Sequence, residues 1–530
     1  MEAVGQTQLR TRAISGADVV WLATGTLLLL GFAFRARGFL FGTIPFWEDE
    51  AAWAIRTVDL PLGELAIRPL GFMAISKLLA HLLSPSETVL RALPWLAGVA
   101  SLSMSPLLAR RLFSSAAARL LFVAVVALHP GAIDLAKEFK PYSVSLALHM
   151  AFLLLGLSYL EKGTLRWLLP LLGLLLLGTF FAQDALFAYP GLFALLLFEA
   201  FRVRRRRHLL LIASTAVATL AVVAGMYVGL WSKAVGDDTT EYWGKKYDVF
   251  YVPSAEPTQS RLAWSATRVG DIAAMPGMRR SNWTPGHLAK RTLGELQQLD
   301  VDVWRALGLV GLGALVLRGK RREALLLLGP MVVLFGFNAF GFWPLGAFRT
   351  NLFTLVYAAG IVAAGVDRTI SELDGWDLMP AGVLVVIPFL LLGRTTHSTK
   401  ASSMVDGSAF PEALRTLTTL QERAGGARAQ LVLDNPSCSM WRYYLRYHPD
   451  KAHFAEQGSR FNARCTKNLT EMVQVLRKGL KTPESRTYAL VSRSRSMEDV
   501  ETNLPADLAI DGHTYLGEHD HLVVSVKKAP

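Results

Sequence analysis

The sequence predicts a polytopic α-helical membrane protein of about eleven spans, followed by a small extracytoplasmic α/β domain. Three observations carry that expectation. The 530-residue chain is 52% hydrophobic and only 18% charged, against about 25% for an ordinary soluble domain. Its mean hydropathy is +0.33. Apolar runs long enough to approach a membrane span recur through most of the chain, and they stop before a mixed polar tail. Two cysteines exclude a disulfide scaffold, and the apolar content excludes a disordered chain or a collagen.

A span needs about 20 mostly apolar residues. The first run covers residues 19–34 and follows a short polar N-terminus with Arg10 and Arg12. A cleaved signal peptide is the competing reading, but no small-x-small site follows and further apolar runs do. The next six runs are 90–109, 120–133, 144–160, 165–181, 186–201 and 209–231. After a long gap come 303–317, 324–342, 352–366 and 381–392.

Basic residues orient these runs. Arg110, Arg111 and Arg119, then Lys162 and Arg166, then Arg202 and the four arginines 204–207, then Arg318, Lys320, Arg321 and Arg322 all fall between runs on one side. That side, shared with the N-terminus, is expected to be cytoplasmic. The net charge of +13, from 55 Lys and Arg against 42 Asp and Glu, is therefore mostly a topology signal. It is not the footprint of a nucleic-acid binder. An odd number of spans puts the tail outside. The apolar stretch 69–83 would invert every later cluster if it spanned, so it is read as a helix on the outer membrane face.

Two regions result: a membrane region over 1–394 and an extracytoplasmic domain over 395–530. The outer loops are 35–89, 134–143, 232–302 and 343–351. In the tail, 411–423, 439–447 and 469–480 have helical spacing, while 429–433, 487–491 and 521–526 read as strands. Cys438 and Cys465 both fall there, either bridged in an oxidising compartment or as two buried thiols.

The chemistry-bearing residues gather on the outer side. The first outer loop contains Glu48, Asp49 and Glu50 in a row, directly after the first span. Carboxylates this close raise one another's pKa, and one of them could act as a general base. A solvated acidic cap is the plainer reading. The second outer loop adds Asp134, Lys137, Glu138 and Lys140, and a late outer turn adds Arg349 at the edge of an apolar run. That arginine could simply snorkel to a lipid headgroup. Acids and cations from separate loops on one membrane face suit deprotonation of a hydroxyl and stabilisation of a phosphate leaving group.

These residues resemble the signature of GT-C fold glycosyltransferases. The similarity is to polyprenyl-phosphate-sugar-dependent enzymes of the protein mannosyltransferase (family 39) and aminoarabinose transferase type. Asp49-Glu50 matches the Asp-Glu pair that follows the first span in that family, and Glu48 is an additional acid. The segment Arg68-Pro69-Leu70-Gly71-Phe72 resembles the stretch before a helix packed at the outer surface. Glu138-Phe139-Lys140-Pro141-Tyr142 resembles the family's acidic-x-basic-Pro-Tyr stretch, which usually has Arg where Lys140 stands. Residues 343–351 resemble a late motif whose arginine approaches the lipid phosphate, and Tyr242-Trp243 resembles an aromatic pair of related proteins.

The resemblance implies an inverting transferase that uses a polyprenyl-phosphate-linked sugar and a lipid, glycan or protein acceptor at the bilayer. It implies Asp49 as base, with Glu50 and Glu138 beside it. It implies Lys140, Tyr142, Arg349, Arg68, Tyr242 and Trp243 as substrate-binding residues. No cofactor is required by this reading, although Asp49, Glu50 and Glu138 could hold a divalent cation. The leucine, alanine and arginine bias suggests a GC-rich bacterium, and hence its cytoplasmic membrane. The sequons at Asn282 and Asn468 are then read as chance.

Two other readings compete. One is a ligase that moves a whole lipid-linked glycan. The other is a lipid or glycan transporter without chemistry, which would place ionisable groups at the bilayer midplane. Most runs here have clean Leu, Ala and Val centres; Gln183 and Asp184 fall in the turn between runs five and six. No phosphate-binding glycine loop, dinucleotide fingerprint or zinc-type His or Cys pair occurs.

Overall fold

The computed structural model describes residues 16–41, 44–65, 68–232, 243–245, 248–251, 260–277, 295–317, 321–347, 349–372, 410–423, 429–480, 487–492, 497–516 and 521–529. Among them, six helices are long and apolar enough to cross a membrane. They become seven if a bent pair counts as one span. Every expected run up to 352–366 falls mainly on helix, and the run 381–392 lies outside the described residues.

The membrane region opens with α1 (Gly16–Ala36), α2 (Glu48–Asp59), α3 (Leu70–Leu82) and α4 (Glu87–Leu112). At 13 residues α3 is about 20 Å long, well short of a bilayer core of roughly 30 Å. It packs against α2, α4 and α8 (Leu165–Phe181). Its Lys77 ammonium donates to the carbonyl oxygens of Thr57, Val58 and Leu60 at 3.0–3.2 Å, which closes the C-terminal end of α2.

α5 (Ala116–Leu128) and α6 (Pro130–Asp134) meet at a 49° bend. Pro130 has no N–H to continue α5, but it is well suited to start a helix. His129 joins the two. Its Nδ1 accepts from the Ala132 N–H at 3.4 Å, and its Nε2 contacts the Met275 carbonyl oxygen at 2.9 Å. Arg35, fully buried at the end of α1, donates to the carbonyls of Gly31, Val126 and Ala127 at 2.8–2.9 Å. It thereby satisfies the freed C-terminal carbonyls of α5. The bend delivers residues 134–140 to the head of α7 (Tyr142–Lys162), a mostly buried helix packed on α4 and α8. Gly98 of α4 permits this, because a Cβ there would lie 2.5 Å from the Ala136 Cβ.

Beyond α7 and α8 come α9 (Tyr189–Arg202) and α10 (Arg206–Met226), then helices Arg261–Ala274, Glu295–Leu317, Arg321–Ala339 and Thr354–Glu372. The last packs against Glu295–Leu317 and α5, and buries a face that includes Leu355, Tyr357, Val362 and Ala363.

The tail forms a five-stranded sheet among the described residues, in the order β2-β1-β3-β5-β4. The strands are β1 (Ala429–Leu433), β2 (Phe461–Cys465), β3 (Thr487–Ser492), β4 (Leu508–Leu516) and β5 (His521–Lys528). β1 pairs in parallel with β2 and β3, while β5 runs antiparallel to β3 and β4. Helices Phe410–Arg423, Asn435–Arg446 and Leu469–Gly479 agree with the sequence reading. The strands β2 and β4 and the helices Lys451–Gly458 and Met497–Asn503 add to it. Both added strands are sheet edges with mostly exposed or half-exposed side chains, so neither carries a hydrophobic run that marks a strand.

One face of the sheet forms its own core with Leu469, Met472 and Leu476. The other face shares a core with the membrane region. Leu431, Leu433, Tyr443, Tyr444 and Phe410 join Phe46, Ala51, Phe72 and Phe139 in a single buried cluster. Cys438 and Cys465 are disulfide-bonded with Cα atoms 5.6 Å apart, tying helix Asn435–Arg446 to β2. Closing a loop of 27 residues is worth about 3.5 kcal/mol in the chain-entropy description. A Cys438→Ser, Cys465→Ser protein is expected to lose about that much tail stability, read as a lower urea midpoint for protection from proteolysis. An unchanged midpoint would contradict a stabilising bridge.

Candidate active site

The three consecutive acids begin α2. Trp47 is its N-cap, in extended conformation and without a side-chain cap bond, so the carboxylates of the first turn face the positive end of the helix. Consecutive helical residues point about 100° apart, and here that rotation separates Asp49 from Glu50. Glu50 turns inward and is 1% exposed. Its Oε1 accepts from Arg91 Nε at 2.8 Å and from the Phe139 N–H, and its Oε2 accepts from Arg91 Nη2. Arg91 also donates to the carbonyls of Ile44 and Pro45.

Asp49 turns to the cations. Its Oδ2 lies 2.7 Å from Lys140 Nζ and 3.7 Å from Arg349 Nη2. Lys140 is 2% exposed, with its ammonium 3.9 Å from the centre of the Trp53 ring. Arg68 also lies over Trp53, at 4.7 Å, and Arg349 lies over Trp47 at 5.4 Å. Trp53 stands one helical turn after Asp49, so one face of α2 presents both the carboxylate and the ring.

Lys140 and Arg349 come from unrelated loops. The first follows the α5–α6 bend; Lys140 N–H bonds the Glu138 carbonyl at 2.7 Å in a tight turn just before Pro141 and Tyr142. Glu138 is buried and acts electrostatically on Lys140. Tyr142 opens α7 in the field of Arg349, Glu138 and Asp49. Arg349 begins a turn organised by the buried Asn351. Its amide donates to the carbonyls of Pro344 at 3.0 Å and Gly346 at 2.9 Å, and its oxygen accepts from Trp343 Nε1 at 2.9 Å. Gly346 has φ +115°, a conformation that favours glycine, and packs on Arg268.

The sequence-derived set thus converges in part. Asp49, Lys140, Arg349, Arg68, Glu138 and Tyr142 share one neighbourhood, and Glu50 lies behind it. Trp243 packs instead on Val249 and Phe250, in a loop pinned to the late turn by the Leu345 N–H and Asn338 Nδ2, both donating to the Val249 carbonyl. Tyr242 lies outside the described residues. Sequence reasoning missed Arg91, Trp47, Trp53 and Asn351. Arg91 carried a signal: an arginine one residue inside an apolar run needs a partner.

Burial raises the Asp49 pKa, but Lys140, Arg349 and Arg68 together hold the carboxyl below its ordinary value. Burial lowers the Lys140 ammonium to about 8 against the pull of Asp49, and Arg349 adds to the lowering. Arg68 is lowered by burial to about 10. The site does not suit a divalent cation. Glu50 is committed to Arg91, Asp49 to Lys140, and the field around them is positive; no three His, Cys, Asp or Glu cluster as ligands among the described residues.

No family model matches the chain, and no curated protein matches it in sequence. Solved structures do. ArnT from Cupriavidus metallidurans bound to undecaprenyl phosphate superposes with a TM-score of 0.51 at 13% identity, covering 96% of this chain and 98% of that one. The same protein in its apo state gives 0.47 at 13% identity with the same coverage. The Archaeoglobus fulgidus oligosaccharyltransferase complex with zinc and sulfate gives 0.46 at 11% identity, over 88% of this chain and 68% of that one. The likeness to the lipid-bound ArnT extends over both regions of the chain, and it shows that the fold is the GT-C fold.

Proposed function

We propose that this protein is an inverting membrane glycosyltransferase that moves a sugar from a polyprenyl-phosphate donor to a hydroxyl acceptor. The observation that carries this reading is the Asp49 carboxylate set among Lys140, Arg349 and Arg68 beside the head of α7. A base and a cationic clamp within one site are what displacement at an anomeric carbon requires. The fold shared with an ArnT that binds undecaprenyl phosphate supports a lipid-linked donor. The basic turns around Arg111, Arg205 and Arg321 support a site on the opposite, extracytoplasmic face of a bacterial cytoplasmic membrane.

The reaction balances with the chain's own groups. The acceptor hydroxyl attacks the anomeric carbon opposite the phosphate, its proton passes to Asp49, and the carbon–oxygen electron pair leaves with the phosphate. The phosphodiester carries one negative charge and the released monoester carries nearly two. Lys140, Arg349 and Arg68 therefore stabilise the departing group more than the bound donor, which is the differential that accelerates the step. Donor binding also prepares the base. Asp49 is a weak base while Lys140 and Arg349 face it, and a phosphate that engages those cations raises its proton affinity. Glu50 positions the carboxylate from behind through Arg91 and Phe139, Glu138 tunes Lys140, and Tyr142 lines the phosphate side. The acceptor is a lipid, a glycan or a protein.

Two outcomes are expected. Asp49→Asn should insert and fold normally but lose transfer by about 10²–10⁴-fold. The readout is mass spectrometry of envelope glycans from a strain carrying only that variant, and a wild-type glycan profile would remove the proposal. The second is a pH dependence. Lys140 is charged below its lowered pKa of about 8 and neutral above it. A phosphate monoester is already fully ionised there, with its second pKa near 6. Undecaprenyl-phosphate affinity of the purified protein should therefore fall as pH rises through about 8, by up to about tenfold per unit. Lys140→Arg should flatten that profile.

A further inference from the structure

The segment that carries the acids is gripped from two sides. Arg91 holds it from α4. The other grip comes from the tail. Tyr444, on helix Asn435–Arg446, is 1% exposed. Its hydroxyl accepts from the Phe46 N–H at 2.9 Å and donates to Glu87 Oε1 at 3.0 Å. Phe46 precedes the N-cap of α2, so that helix offers its N–H no acceptor; the tail supplies one, three residues before Asp49. Glu87 Oε2 is met by His448 Nε2 at 3.1 Å, and the Tyr443 hydroxyl donates to the Pro85 carbonyl at 2.8 Å. The Phe46 ring is fully buried between Tyr443, at 5.0 Å, and the Arg91 guanidinium, at 4.7 Å.

Tyr444 is itself fixed from the tail side. Phe410 stacks on its ring at 5.3 Å, and Phe454 meets the ring edge-on at 5.1 Å. The disulfide at Cys438 anchors the same helix to β2. Burial and the neighbouring Glu87 keep the phenol protonated, so it can go on donating to that carboxylate. One tail hydroxyl therefore joins the backbone before Asp49 to the first turn of α4.

We propose that Tyr444 is a positioning residue for Asp49, and that the C-terminal domain is a structural arm of the active site. Tyr444 acts through Phe46 and Glu87 and does not touch the reactants. It sets where α2 begins, and so how the Asp49 carboxylate meets Lys140. The functional part of this inference rests on the transferase reading; the positioning part does not.

The test uses full-length protein in detergent with Tyr444→Phe, which keeps the ring packing and removes the hydroxyl. Lys140 reactivity is read by amine labelling and mass spectrometry, undecaprenyl-phosphate binding is measured as the probe affinity, and thermal unfolding is followed in parallel. The expected result is labelling of Lys140 at least about fivefold faster and probe binding weakened by a similar factor, with Lys137 and Lys77 labelled at wild-type rates. Tyr447→Phe is the control; its hydroxyl donates to Asp59, at the far end of α2, and it should leave Lys140 unchanged. If Tyr444→Phe does not fold, Glu87→Ala releases the same hydroxyl from its acceptor and should act in the same direction. Unchanged Lys140 labelling overturns the proposal, and so does an equal rise at all three lysines, which is general loosening. A selective Lys140 response in a protein that never binds undecaprenyl phosphate upholds the positioning role and counts against the donor assigned under the transferase reading.

Discussion

A single buried guanidinium organises the region around the acids. Arg91 enters from α4 where the chain is turning apolar, and it is buried with its partner Glu50. An arginine in that setting is costly unless every donor finds an acceptor. Glu50, Ile44 and Pro45 meet that need, and in doing so they fix the chain between α1 and α2. Burying such a pair adds little net stability compared with an apolar packing. Its consequence is geometric: once Glu50 is committed to Arg91, the helical rotation leaves Asp49 one orientation, towards Lys140.

This arrangement explains why three acids can stand in a row. Each gains from the N-terminal end of α2, and the next two part company because their environments differ. Glu50 meets an arginine and a backbone N–H in the interior. Asp49 meets cations at a half-open edge. The same carboxylate chemistry thus meets a cluster of cations at one position and serves fixation at the next. The division needs Phe139 as well, because its N–H completes Glu50 while its neighbour Lys140 completes Asp49. The second loop therefore locks and equips the first in two consecutive residues.

Much of this was readable in the sequence, for identifiable physical reasons. Apolar runs and basic turns are long-range averages, insensitive to individual contacts, so the helices fall where hydropathy put them. Asp49, Lys140 and Arg349 could be nominated together because the basic turns place all three loops on the same side and their local motifs resemble one family's. Arg91 escaped notice because a hydropathy run absorbs a single charge near its edge. The tail strands β1, β3 and β5 were visible as compact apolar runs, whereas the edge strands β2 and β4 are largely exposed and carry no such pattern. Tyr444 had no signal at all. Its partners Phe46 and Glu87 lie 398 and 357 residues away, and one tyrosine in Trp441-Arg442-Tyr443-Tyr444 looks like any other until the domains are packed.

The aromatic residues account for how so much positive charge can wait in one place. Lys140 and Arg349 both meet Asp49, and Arg68 acts on it from the same neighbourhood, so like charges stand at close range and repel one another. Trp53 and Trp47 relieve part of that repulsion by placing ring faces 3.9, 4.7 and 5.4 Å from the three charges. A ring face attracts a cation by its quadrupole and leaves the net charge intact. A carboxylate in the same place would neutralise the field and have to be displaced by any incoming anion. Tryptophan therefore holds the cations in position without spending the positive potential, and α2 carries both the Asp49 carboxylate and the Trp53 ring that lies beneath two of those charges. Moving the start of that helix would shift the Asp49 carboxylate and the ring under Lys140 and Arg68 together.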